Sequence, residues 1–196
     1  MATARSYHHG NLRSALLDSA ERTLSRRGAN ELSLRELARE VGVSHAAPRR
    51  HFADKQALLD ALAEDGFERL GGELDAAMSG AGDSLRDQLG AFALAYVRFA
   101  TEHPALLELM FAGKYRDDRV REAADRAFAG PLALFASGQA TGEVVPGDPA
   151  RVGIVALATL HGLASLANNG MLGAAELEEI VEEAVDRVVL GLRPRP

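Results

Sequence analysis

Between Ser44 and Lys55 the chain sets His45, Arg49, Arg50, His51 and Lys55 close together, with Ala46 and Ala47 among them. Cationic groups at this density bind anions. A guanidinium can span two phosphate oxygens or the O6/N7 edge of guanine, and an ammonium meets phosphate as a point charge. Small residues beside them let the backbone come close to base edges, where an alanine methyl can touch a thymine methyl. The chemistry these residues suit is recognition of a duplex: phosphate contacts that position and base contacts that specify.

Bond-making chemistry finds no comparable support. His103 and His161 lie in separate apolar stretches, no glycine-rich phosphate loop is present, and no serine or aspartate sits in a nucleophile motif. The adjacent His8 and His9 have no second ligand pair. The chain has no cysteine, which excludes disulfides, thiolate metal sites and thiol redox chemistry. No enzyme, no cofactor and no metal site is expected. Net charge is -6, which by itself argues against nucleic acid, but the average conceals an asymmetry. Residues 1–60 hold ten Lys and Arg against seven Asp and Glu, and His8, His9, His45 and His51 lie there too. The other 136 residues hold twelve against twenty-one, so a basic module is joined to an acidic one. The opening stretch MATARSYHHGNLR has no apolar run of signal-peptide length, and a cytoplasmic protein is expected.

The elements that must carry these residues are helical. Apolar residues recur at spacings of three and four, and no run alternates with period two, so the fold class expected is all-α, with about nine helices. A first helix is predicted from Asn11 to Arg27, with Leu12, Leu16, Ala20 and Leu24 inward, Arg13, Arg22 and Arg26 outward, and Gly28 as its stop. Ser33 and Glu36 have capping-box spacing, which starts a second helix whose buried stripe is Leu34, Leu37, Ala38 and Val41. Gly42 makes the turn, and Ser44 is the N-cap of a third helix reaching Phe52. The segment SLRELAREVGVSHAAPRRHF therefore has helix-turn-helix geometry. An ordinary helical hairpin with a solvated basic face has the same pattern. A fourth helix, a connector, follows through Leu58, Leu62 and Phe67 to Gly71 and Gly72.

After the break at residues 79–82, helices are expected over Ser84 to Glu102, Ala105 to Phe111, and Arg116 to Thr141 with a bend or break at Gly130-Pro131. Asp148-Pro149 announces a helix from Pro149 to Asn168, and an amphipathic helix from Ala174 to Leu190 closes the chain. Val152 to Ala167 is apolar on every side except at Thr159, His161 and Ser165. Its uninterrupted length falls short of the ~20 residues a membrane span needs, so burial all round is expected and no membrane partner.

Residues 11 to 60 resemble the DNA-binding domain of the tetracycline-repressor (TetR) family: a helix ending Arg27-Gly28, then LSLRELAREVGVS, then HFADKQALLDAL. The resemblance implies an arm at 1–10, a DNA-binding domain at 11–60, a connecting helix and loop at 61–79, and an effector-binding and dimerisation domain at 80–196. In that family the start of the second helix, the whole third helix and a lysine opening the fourth meet DNA. Those roles would fall to Ser33, Leu34 and Arg35, to Ser44, His45, Ala46, Ala47, Arg49, Arg50 and His51, and to Lys55. The arm Tyr7 to Arg13 is similar to that of one branch of the family, and Arg13 joins the DNA-facing set. One departure is Pro48-Arg49, where the family commonly has a large apolar residue and a tyrosine. With Ser44 as N-cap, Pro48 forfeits one early helical hydrogen bond, at modest expected cost.

The resemblance further implies a sequence-specific regulator, most commonly a repressor, acting as a homodimer on a near-palindromic double-stranded DNA operator. The last two long helices, about 149–168 and 174–190, would form the dimer surface, and an unidentified small molecule would be the effector. Candidate pocket residues are Phe92, Tyr96, Phe99, Met110, Phe111, Phe128, Leu132 and His161, each equally readable as core. His161, in Leu160-His161-Gly162, resembles a Trp-His-Gly signature of the same branch. It suits an effector contact or a satisfied core histidine. A different class of reading is a helical dimer that binds a ligand or a protein and has lost DNA recognition through Pro48.

Overall fold

The computed structural model describes residues 12–194. The arm at 1–10, and Asn11 with it, lies outside them. Among the described residues the fold is all-α, as expected, with nine helices: α1 Leu12–Arg27, α2 Leu34–Glu40, α3 Lys55–Ser79, α4 Leu85–Glu102, α5 Pro104–Gly113, α6 Asp118–Ala127, α7 Ala129–Thr141, α8 Pro149–Asn168 and α9 Ala174–Leu192. Short 3-10 turns occur at Ala29–Glu31 and Pro48–Arg50. The chain divides into two compact units. One gathers the described residues up to Gly66 with Ala105–Val120; the other gathers Phe67–Pro104 with the chain from Arg121 onward.

In the first unit α1 buries the stripe its spacing predicts, Leu12, Leu16, Ala20 and Leu24, and the core continues through Leu37, Ala38, Phe52, Leu58 and Leu62. Ser19 is the buried polar residue of α1, and its hydroxyl donates to the Glu40 carboxylate, which ties α1 to the last turn of α2. Gly42 ends α2 at φ 73°, where a side chain would be strained. The Val43 N–H reaches back to the Ala38 carbonyl at 2.9 Å and the Gly42 N–H to Arg39 at 3.3 Å, a Schellman closure. The capping box at the other end is not made. Ser33 adopts the extended backbone of an N-cap, but its hydroxyl accepts no cap hydrogen bond, so α2 starts on its backbone alone.

The glycines at 71 and 72 do not end α3, which runs on to Ser79. Packing explains Gly71: a Cβ there would stand 3.0 Å from the Ala127 Cα, so α3 and α6 cross at nearly backbone contact. Gly72 has nothing within 4 Å of the same added atom.

In the second unit Ser84 caps α4 by accepting from the Asp87 N–H at 3.1 Å, and Leu89, Phe92, Tyr96 and Phe99 are buried. The long predicted helix from Arg116 is two helices. The chain breaks at Phe128, just before Gly130-Pro131, which leaves Pro131 in the first turn of α7, where a missing N–H is tolerated. Asp148 caps α8, accepting from the Ala150 N–H at 2.9 Å. The expectation that α8 is buried all round fails for the single chain. Only Ala156, Leu160 and Ala164 are buried, because α8 offers one stripe to its neighbours, and Ile154 and Val155 are 60% and 64% exposed. Among the described residues α8 is the one helix long and apolar enough to cross a membrane. The end of α9 is tied back by the Val145 N–H, which donates to Leu192 at 2.7 Å.

The two helical glycines should respond oppositely to one methyl group. Gly72→Ala is expected to stabilise the protein by about 0.5–1 kcal/mol through helix propensity. Gly71→Ala should destabilise it by roughly 1–3 kcal/mol through overpacking against α6. Urea unfolding followed by circular dichroism checks both signs.

Candidate nucleic-acid interface

The segment after Gly42 is where the structure departs most from the sequence expectation. Ser44 to Phe52 is not an α-helix. It is a turn at residues 45–47 followed by the 3-10 turn Pro48–Arg50. The cause is local. In a helix capped by Ser44, the first intrahelical bond would run from residue 48 back to the Ser44 carbonyl, and proline has no N–H to make it. The Ser44 carbonyl accepts instead from Ala47 at 3.0 Å, Ala47 from Arg50 at 3.2 Å, and Pro48 from His51 at 3.0 Å. These are three-residue closures. A four-residue bond returns only at the end, from the Phe52 N–H to Pro48 at 2.9 Å.

Pro48 and Phe52 are buried, Ala47 is half-buried, and Ser44, His45, Ala46, Arg49, Arg50 and His51 are exposed. The inward residues anchor the segment, and the outward ones are those with donors for phosphate and base edges. Arg13, exposed in the first turn of α1, holds its guanidinium 5.8 Å from the centre of the Phe52 ring. That cation–π contact sets Arg13 beside the end of the 3-10 segment. Lys55 opens α3, and its ammonium donates to the Asn30 carbonyl at 2.7 Å. At the start of α2, Arg35 is exposed, while Ser33 and Leu34 are half-buried. Phe52, which sequence reasoning counted as hinge packing only, is also the platform for Arg13.

The candidate pocket residues separate into groups. In the second unit Phe92, Tyr96 and Phe128 follow one another at centroid distances of 6.2 and 6.4 Å, and Phe128 meets Phe67 edge-on at 6.5 Å. Phe67 was missed as a pocket candidate because its spacing in α3 marks it only as one more stripe residue. Tyr96 is fully buried, and burial pushes its phenol pKa well above the ordinary value, so it stays protonated. Its oxygen lies 2.9 Å from Nδ1 of His161. His161 itself is exposed on α8, not a core histidine, and only its ring nitrogen reaches the interior hydroxyl. Phe99 lies 5.0 Å from the His103 ring and 5.9 Å from the Arg69 guanidinium. Leu132 packs where α7 passes Gly153. Met110 and Phe111 belong to the first unit, where Met110 lies against Gly66.

A separate groove of about 900 Å³ runs along α8 and α9, lined by Val152, Val155, Thr159, Ile180 and Val188 with Arg151 and Arg187 among its walls. Its floor is part of the apolar surface that α8 leaves exposed.

Residues 16–62 match the family model of bacterial regulatory proteins of the tetR family, and residues 89–189 match that of the tetracyclin repressor-like C-terminal domain. No curated protein is significantly similar to the chain. Among solved structures, a protein of unknown function from Rhodococcus sp. RHA1 is 46% identical, covers 97% of this chain and 100% of its own, and superposes with a TM-score of 0.89. A TetR-family transcription regulator from Marinobacter aquaeolei VT8 is 19% identical over 95% of this chain and 97% of that one, with a TM-score of 0.78. The fatty acid degradation regulator FadR from Bacillus halodurans is 17% identical over 96% and 100%, with a TM-score of 0.71; at these identities the likeness is one of fold. With residues 16–62 and 89–189 matched in order, the chain belongs to the TetR family of bacterial transcription regulators.

Proposed function

We propose that the protein is a sequence-specific DNA-binding regulator, a repressor, that acts in the cytoplasm as a homodimer on a near-palindromic operator and is released by a small molecule. The observation that carries the DNA reading is the exposed set Ser44, His45, Ala46, Arg49, Arg50 and His51, anchored by buried Pro48 and Phe52 inside the family-matched segment. In this reading Arg49, Lys55 and Arg13 meet phosphate, Arg50 and Ala47 meet base edges, and Ser33, Leu34 and Arg35 flank the groove. Domain roles follow the same division: arm 1–10, DNA-binding domain 11–60, connector 61–79 and regulatory domain 80–196.

Dimerisation is supported by the apolar face of α8 and α9, where Ile154, Val155 and Leu190 are exposed. Apolar surface on this scale gains roughly 25 cal/mol per Å² when withdrawn from water. A twofold pair of α8 and α9 from each subunit would cover it, and the twofold axis makes the operator palindromic. Effector control is supported by the linked rings of Phe92, Tyr96 and Phe128 with the Tyr96–His161 hydrogen bond as their polar end. A ligand that fits one arrangement of the protein better shifts the population toward it. Nothing in this mechanism requires catalysis.

Selection from a random DNA pool at fixed salt should enrich a near-palindrome; a flat pool would favour a helical dimer without DNA recognition. Arg49→Ala is expected to weaken all sequences alike and to reduce the salt slope by about 1, as one lost phosphate contact does. Val155→Glu should convert the dimer to a monomer in sedimentation velocity with helix content retained, and a persisting dimer would sink the α8–α9 interface. Small molecules or metabolite extracts should change operator affinity by roughly 5- to 150-fold, the usual range of allosteric coupling. If none does, the sensing role is wrong.

A further inference from the structure

We propose that Pro48 is a specificity-determining residue: by denying the Ser44 carbonyl its helical partner, it holds the reading segment in a 3-10 path that sets where Arg50 points. The inference rests on the DNA reading above and goes beyond it. Three observations carry it. Ala47 bonds back to Ser44 at 3.0 Å and Arg50 back to Ala47 at 3.2 Å, so consecutive three-residue closures link Ser44, Ala47 and Arg50. Pro48 is buried, which anchors the segment at the residue that lacks the N–H. Arg49 and Arg50 are exposed, so the path decides their directions and not their burial.

Geometry gives the size of the effect. Over three residues a 3-10 turn rises about 6 Å and comes full circle, whereas an α-helix rises about 4.5 Å and turns about 300°. In a 3-10 turn Arg50 stands nearly above Ala47. In an α-helical version it would be drawn back about 1.5 Å and swung about 60° around the axis. A guanidinium reading guanine needs both of its bonds aligned, so a displacement of that size changes which base edge it can meet. Arg49, moved likewise, still finds phosphate, because phosphates are closely spaced and carry no sequence. The segment keeps its charge and its affinity for DNA in general, and its register of base contacts belongs to the 3-10 path.

The test uses the full chain and two variants that restore the N–H with different side chains, Pro48→Ala and Pro48→Leu. Each is put through selection from a random DNA pool at fixed salt. Both variants should enrich near-palindromes with the wild-type half-site spacing but with altered bases at one or two positions per half-site. Each should bind the wild-type site roughly ten- to hundredfold more weakly, the range of a lost bidentate base contact, and its own selected site with near wild-type affinity. Arg50→Ala should relax one half-site position in the wild type and a different one in the Pro48→Ala background. Circular dichroism should show helix content that is equal or higher in both variants.

The proposal is overturned if both variants enrich the wild-type half-site and bind it within about threefold. It is overturned equally if they weaken every sequence without changing preference, since Pro48 would then be a structural prop. A change in Pro48→Leu alone would assign the effect to side-chain volume and also overturn it. A wild-type protein that enriches no sequence removes the DNA reading itself, an outcome distinct from a preference shared by wild type and variants.

Discussion

The second unit is built on the packing of α4 against α8 and α9. Leu89, Phe92, Tyr96 and Phe99 are buried on α4, whereas α8 buries only Ala156, Leu160 and Ala164. These three residues at four-residue spacing, two of them alanines, occupy one narrow stripe. Ile154, Val155 and Leu166 are left facing outward. The exposed face is therefore a consequence of how the core is made. A helix as uniformly apolar as α8 cannot be satisfied by neighbours on one side.

The first unit obeys a different constraint, a missing donor. Its core is conventional, a stripe from α1 meeting Leu37, Ala38 and Phe52. The reading segment attached to that core is decided by a single absent N–H at Pro48, after which hydrogen bonds close over three residues. Burial of Pro48 and Phe52 holds both ends of the segment to the core, so the altered path is fixed in place.

Much of this was legible in the sequence wherever the governing physics is local. The stripe of α1, the glycine closure of α2, the Asp148 cap and the all-helical class follow from spacing and from a few donors and acceptors near one another along the chain. Reading failed where a distant neighbour decides. Gly71 reads as a terminator and is instead the crossing point for Ala127. His161 reads as interior because its helix is apolar, yet which side of α8 faces inward is set by its neighbours α4, α7 and α9. Ser33 has the spacing of a cap and does not make the bond. Pro48 is the instructive case, since the loss of one bond was foreseen. That bond was the first of the helix, and without it the following closures shortened as well.

The pairing of Tyr96 with His161 has a thermodynamic consequence. The phenol lies wholly inside and the imidazole on the surface, so one hydrogen bond belongs at once to the interior and to the outer face of α8. A molecule that replaced the imidazole as partner of the Tyr96 hydroxyl would leave the outer face of α8 with a histidine differently bonded. Linkage would make such a relation reciprocal in binding free energy: whatever occupation of the interior did to association across α8, association would do in equal measure to occupation.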